Sequence, residues 1–259
     1  MNGTTTVTLA GVGGQGILSI AYLLDHAAIA RGLRFKQAEV HGMAQRGGAV
    51  YSHMRISDAP ILSDLIPEGH ADMILSVEPL EVQRYLNYLR PGGVVISNDE
   101  PVKNIADYPA DGLVDAALMA LPRAILVDAA GIASAAKMSK AQNMVMVGAA
   151  TPFLPFQWAE FEPFVQRLFG AKGDHVVQAN MTVLEAGWRV GAFAKELLDA
   201  GVSSALVGRF LARLQPMTLD PAAARGYAGV LEGVRAQAFL ATEGARVACD
   251  TALLNTLSA

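Results

Sequence analysis

Gly11, Gly13 and Gly16 stand in the pattern G-x-G-x-x-G, with Gly14 as a further glycine and Gln15 as a polar residue between them. A turn of this kind brings backbone N–H groups close to an anion, because no Cβ stands in the way, and aims a helix N-terminus at it. The usual anion is the pyrophosphate of a dinucleotide. Glu39 lies 39 − 16 = 23 residues beyond the last of these glycines, where an acid would take up a ribose hydroxyl. Two readings of the turn are open: a cradle for NAD or FAD, or glycines that only let a helix pack tightly on a sheet. Gln15 bears on the choice, since its amide can hydrogen-bond into the crevice where a pyrophosphate would lie.

A second set of polar groups follows directly. His41, Gln45 and Arg46 sit among Gly42, Gly47 and Gly48, a run that offers donors, acceptors and a permanently charged guanidinium. It also crowds the place where an adenosine ribose would rest. Arg46 can equally be read as pairing with an acid across a subunit interface. His53, further along, reads as a strand histidine satisfied by its neighbours rather than as a ligand.

Positioning these groups takes a strand, a turn, a helix and a second strand, and the patterning supplies them. "TTVTLAG" is β-branched and apolar up to the glycine break, and residues 17–31 carry apolar side chains at near-helical spacing up to Gly32. Alternation predicts strands in "LRFKQAEV" and over residues 49–57, with further strands at 71–77, after "RPGG", and at 124–128. Helices are expected at 79–89, over "AAGIASAAKM", in the apolar "NMVMVGAATPFLP", over 157–169, and in one long run after Asp174. Such strand–helix alternation predicts an α/β fold: a doubly wound, mostly parallel, Rossmann-like sheet with the polar loop at its carboxyl end. The stretch 201–259 is Ala- and Leu-rich, lacks strand signals and contains Pro216 and Pro221. It is expected to be a helical extension beyond an α/β domain of residues 1–200.

Composition narrows the chemistry. The 259 residues are 52% apolar, enough for a substantial core. With a net charge of −4 and no run of Lys and Arg, the footprint of a nucleic-acid binder is missing. The single cysteine, Cys249, excludes an internal disulfide and falls short of the thiolate set of an iron–sulfur cluster. No apolar run approaches the ~18 residues of a membrane span, and no signal-peptide pattern opens the chain. A cytoplasmic protein is expected. Trp158 and Trp188 can anchor a core or an interface, with core the expectation.

Taken together, "GVGGQGIL", "EVHGMAQRGGAVYSHMRI" and "NMVMVGA" at 143–149 resemble the gamma-type domain of the 2-oxoacid:ferredoxin oxidoreductase family, as it occurs in the beta subunits of indolepyruvate ferredoxin oxidoreductases. The resemblance runs over roughly residues 4–195. It implies an accessory subunit of an enzyme that oxidatively decarboxylates an aryl 2-oxoacid to the acyl-CoA and reduces ferredoxin. Thiamine diphosphate, Mg²⁺ and [4Fe-4S] clusters would then belong to a larger alpha subunit, with coenzyme A as co-substrate. The residues agree: the only "GD", Gly173 and Asp174, lacks paired asparagines ~25 to 30 residues on, as a thiamine diphosphate and Mg²⁺ site would have. A dimer of heterodimers is the default for such an assembly. The resemblance also implies that Gly11, Gly13, Gly14, Gln15, Gly16, Glu39, His41, Gln45 and Arg46 lie near the subunit contact and the approach to the active site or coenzyme A. A stand-alone NAD- or FAD-dependent enzyme, and a regulatory module using the glycine turn as an anion nest, remain as alternatives.

Overall fold

In the computed structural model, which describes residues 3–40 and 48–258, the first strand, β1 (Thr4–Val12), serves two apolar layers. Val7 and Leu9 belong to one and Ala10 to the other, as the two-residue period of a strand requires. Helix α1 (Ile17–Ala30), strands β2 (Arg34–Val40), β3 (Ala49–Ser57) and β4 (Ala71–Ser76), helix α2 (Pro79–Tyr85) and strand β5 (Leu89–Asn98) follow. Next come α3 (Leu113–Met119), β6 (Ala124–Val127), α4 (Ala129–Ala135), α5 (Gln142–Ala150), α6 (Glu162–Phe169) and the long α7 (Asp174–Asp199). The same alternation recurs in the other central strands: Met73 and Leu75 against Ile74, Val94 and Ile96 against Val95. Helices α1, α5 and α7 cover the first face, while Val82 and Tyr85 of α2 and Val114 and Leu118 of α3 cover the second.

Among the described residues the sheet runs in the order β2-β3-β1-β4-β5-β6. Strand β3 is antiparallel to both of its neighbours, and β1, β4, β5 and β6 are mutually parallel. All strands but β3 therefore point the same way, and the expected mostly parallel α/β sheet is present. The difference from a simple doubly wound order is the insertion of β3 between β1 and β2. Too few residues separate β2 from β3 for a crossover helix, so the two can only pair antiparallel.

Close backbone approach fixes the helical layer. A Cβ at Gly187 would lie 2.0 Å from the Val145 carbonyl oxygen, and one at Gly148 would lie 2.0 Å from that of Leu184. Helices α5 and α7 thus cross in backbone contact, which only glycine permits. Trp158 and Trp188 pack on each other at a centroid distance of 6.2 Å against this layer.

Residues 201–258 form α8 (Ser204–Leu211), α9 (Ala224–Ala228), α10 (Val234–Ala241) and α11 (Thr251–Ser258). They share the core of the sheet: Phe210 and Tyr227 stack on each other at 5.3 Å, and both pack on Phe193 of α7. The hydroxyl of Ser204 accepts from the Ala124 N–H at 2.8 Å, and Arg246 donates to Asp128 at 2.5 Å. Among the described residues, no helix is long and apolar enough to cross a membrane.

Candidate functional site

The carboxyl ends of β1 and β4 meet where the chain winds off to opposite sides of the sheet, the position at which open α/β sheets bind ligands. The glycine turn lies there. Gly16 begins α1 in the left-handed region (φ 81°), and a Cβ on it would stand 2.6 Å from the Nδ2 of Asn143. The turn and the "NMVMVGA" segment, 127 residues apart (143 − 16) in sequence, are therefore in direct contact. Gly13 donates its N–H to the carbonyl of Gly48 at 2.9 Å, which ties the start of β3 to the turn. Gly14, with φ 102°, is exposed and has open space around it. No side chain caps α1 and no acid stands in its first turn, so the positive end of this helix has no counter-charge from its own residues.

Gln15 occupies the crevice. Its Oε1 accepts from the N–H of Val12 at 2.7 Å, and its Nε2 donates to the carbonyl of Val77 at 2.9 Å. The amide thus bridges the ends of β1 and β4 with its oxygen and nitrogen both engaged. Asn98, from the end of β5, reaches the same carbonyl at 3.5 Å, extending the closure to the next strand.

Glu39 stands apart from the turn. It pairs in register with Ser52 of β3, and Ser52 pairs with Leu9 of β1, so two strand spacings, ~10 Å, separate it from β1. A dinucleotide fold needs the acid on the strand next to β1, and the inserted β3 removes that adjacency. Glu39 is exposed and accepts from the Nε2 of Gln37. His41, Gln45 and Arg46 lie outside the described residues. His53 is buried at 3% exposure, and its Nδ1 accepts from the Ile66 N–H at 3.1 Å. Burial holds its pKa down, and its Nε2 has no hydrogen-bond partner among the described residues, so only one ring nitrogen is satisfied.

Sequence patterning passed over a buried acidic group at the end of β4. Glu78 is fully buried; it caps α2 by accepting from the Glu81 N–H at 2.9 Å, and it accepts from the Tyr108 hydroxyl at 2.5 Å and the Val102 N–H at 3.3 Å. These bonds hold the loop after β5 against the carboxyl edge. Burial first, and then the bond to Glu78, raise the pKa of Tyr108. Burial also raises that of Glu81, against the opposing pull of Arg84. The signal was present in "EP", an acid before a proline at a helix start, but nothing in it announces Tyr108.

The donor sets of redox cofactors are not assembled from these residues. Cys249 is a single buried thiol whose pKa burial raises, the reverse of what a cluster ligand needs. No group of three or more His, Cys, Asp or Glu placed to hold a metal ion occurs among the described residues. Neither an iron–sulfur cluster nor a thiamine diphosphate and Mg²⁺ site fits them, and no step through those groups is assigned to this chain.

Comparisons with known proteins agree with this arrangement. Residues 6–190 match the model of the pyruvate ferredoxin/flavodoxin oxidoreductase family. The indolepyruvate oxidoreductase subunit IorB of Pyrococcus horikoshii is 36% identical over 205 residues, covering 74% of this chain and 97% of that protein. IorB of Archaeoglobus fulgidus is 35% identical over 191 residues, covering 70% and 92%. The crystal structure of the pyruvate oxidoreductase subunit PORC of Thermotoga maritima shares the fold, with a TM-score of 0.55 at 19% identity over 71% of this chain and 95% of that one. The family match ends at residue 190, before the α8–α11 stretch begins. With the glycine turn, the inserted antiparallel strand and the "NMVMVGA" helix gathered at one edge, the chain belongs to the pyruvate ferredoxin/flavodoxin oxidoreductase family.

Proposed function

We propose that this chain is the accessory subunit of a 2-oxoacid:ferredoxin oxidoreductase that converts indolepyruvate, or another aryl 2-oxoacid, and coenzyme A to the acyl-CoA and CO₂, passing the released electron pair to ferredoxin. A larger alpha subunit carries thiamine diphosphate, Mg²⁺ and the [4Fe-4S] clusters, and the assembly is a cytoplasmic dimer of heterodimers. The observation that carries this reading is the match to nearly the whole length of the IorB subunits, over 74% and 70% of this chain, in a chain where Gln15 bridges the ends of β1 and β4. A subunit with a closed crevice acts through its surface, by orienting substrate and excluding water at a neighbour's site.

In this reading the turn at Gly11, Gly13, Gly14, Gln15 and Gly16, together with Glu39, His41, Gln45 and Arg46, lies near the partner contact and the approach of coenzyme A. The uncapped start of α1 and the Arg46 guanidinium suit an anionic group. The test is reconstitution. The isolated chain is expected to be inactive toward 2-oxoacids with ferredoxin or viologen, and co-expression with the alpha subunit to restore activity. Turnover by the isolated chain would overturn the reading. Arg46→Ala is expected to raise the apparent KM for coenzyme A or to weaken assembly; if neither changes, the role given to Arg46 fails.

A further inference from the structure

A second crevice opens at the carboxyl edge of the same sheet, beyond β5 and β6. It has a volume of ≈400 Å³, within the range of small-molecule sites. Its inner wall comes from α3, β6 and α4, and its outer wall from α8 and the segment reaching Arg246. That outer wall lies beyond the residues matched by the family model. Met119, Leu126, Ile132 and Leu211 make the cleft mostly apolar.

Charge at its polar end is unbalanced. Asp99, Asp115 and Asp128 line the cleft together with Arg209 and Arg246. Arg246 is engaged by Asp128 at 2.5 Å, and Arg209 donates to Gln237 at 3.3 Å. Among the described residues, no side chain donates to Asp99 or Asp115. Burial, Asp128 and Asp115 push the Asp99 carboxyl up to about 7, with Arg246 opposing. Asp99 thus has no donor side chain of its own in an apolar cavity of ligand size, the nearby Arg246 being bonded to Asp128.

We propose that this cleft binds a small organic cation: a primary amine on an apolar body of about ten non-hydrogen atoms, its ammonium held by Asp99 with Asp115 beside it, its body against Met119, Leu126, Ile132 and Leu211. Charge complementarity selects the ligand, since three carboxylates against two guanidiniums leave the cleft with an excess of negative charge. A bound amine would join the sheet to the α8–α11 stretch. The proposal stands independently of the accessory-subunit reading, because its test needs no turnover.

The experiment is calorimetric titration of the full chain with 2-phenylethylamine, its neutral counterpart 2-phenylethanol, and 3-phenylpropionate. Saturable binding of the amine is expected, at least about tenfold tighter than the alcohol, a difference of ~1.4 kcal/mol. Asp99→Asn should weaken the amine about tenfold and leave the alcohol unchanged. Ala205→Phe, on the exposed rim of the cleft, should block both. Amine affinity should fall from pH 8 to pH 6 as Asp99 takes up a proton. Absence of saturable amine binding, equal binding of the propionate, or an amine affinity indifferent to both substitutions would each overturn the proposal.

Discussion

Replacing Gln15 by alanine tests whether the crevice is closed by the chain itself. The N–H of Val12 is within a buried residue, 2% exposed, and its acceptor is the Gln15 Oε1 at 2.7 Å. Removing that oxygen orphans a buried donor, which costs about 1–3 kcal/mol. The Nε2 bond to the Val77 carbonyl is lost as well, for about 0.5–1.5 kcal/mol. That carbonyl keeps Asn98 as a donor at 3.5 Å, so the second loss belongs at the low end. The sum is about 1.5–3.5 kcal/mol, and water entering the vacated space lowers it toward ~1. Equilibrium urea unfolding at neutral pH would measure it directly, and for a chain of this size the melting temperature should fall by about 3–14 °C. Gln15→Glu keeps the acceptor and loses the donor, and should fall between wild type and Gln15→Ala only if the Val12 bond dominates. A change below about 0.5 kcal/mol for Gln15→Ala, the level of an ordinary surface substitution, would refute the closure.

Gly187→Ala places a methyl 2.0 Å from the Val145 carbonyl; prying α5 from α7 should cost about 3 kcal/mol or more, read as a lower urea midpoint, and Gly148→Ala should not add fully to it. Tyr108→Phe removes the hydroxyl that serves the buried Glu78, and a loss of about 1–3 kcal/mol is expected, with faster proteolysis in the loop after β5. Asp99 makes stability depend on pH: burial pushes its carboxyl up to about 7 in the folded chain, from the ordinary 3.8 of a free aspartate, so the folded state binds the extra proton between those values. Stability should therefore decline as pH rises from about 4 to about 7 and then level off; Asp99→Asn should flatten that slope and stabilise the chain at pH 8 by about 1–3 kcal/mol. A slope of opposite sign, removed by the same substitution, would contradict the burial of this group.

What was legible in the sequence was local. The alternation of Val7, Leu9 and Ala10, the spacing of Ala21, Leu24 and Ala28, and the punctuation at Gly32 specify strand and helix from neighbours within a few residues. The three motifs were visible as residue types, and the structure brings Gly16 and Asn143 of two of them into contact. Helix α3 gave little sign of itself, being seven residues long and preceded by a glycine, too short for its period to emerge.

Only the tertiary structure decided which strands are neighbours, and that decision governs the site. From the sequence, the glycine turn and Glu39 fit a dinucleotide pattern, because the spacing of 23 residues does not report what lies between them. Strand β3 enters that gap by pairing with both β1 and β2 and carries Glu39 out of reach. The partner of Gln15 is a carbonyl 62 residues away, and the company of Asp99 comes from α3, the end of β6 and Arg246. Hydrogen bonds and charge depend on distance in space, which residue order constrains only over a turn or two. The chain's sequence therefore determines its elements and the chemistry they carry, and packing determines which of those groups meet.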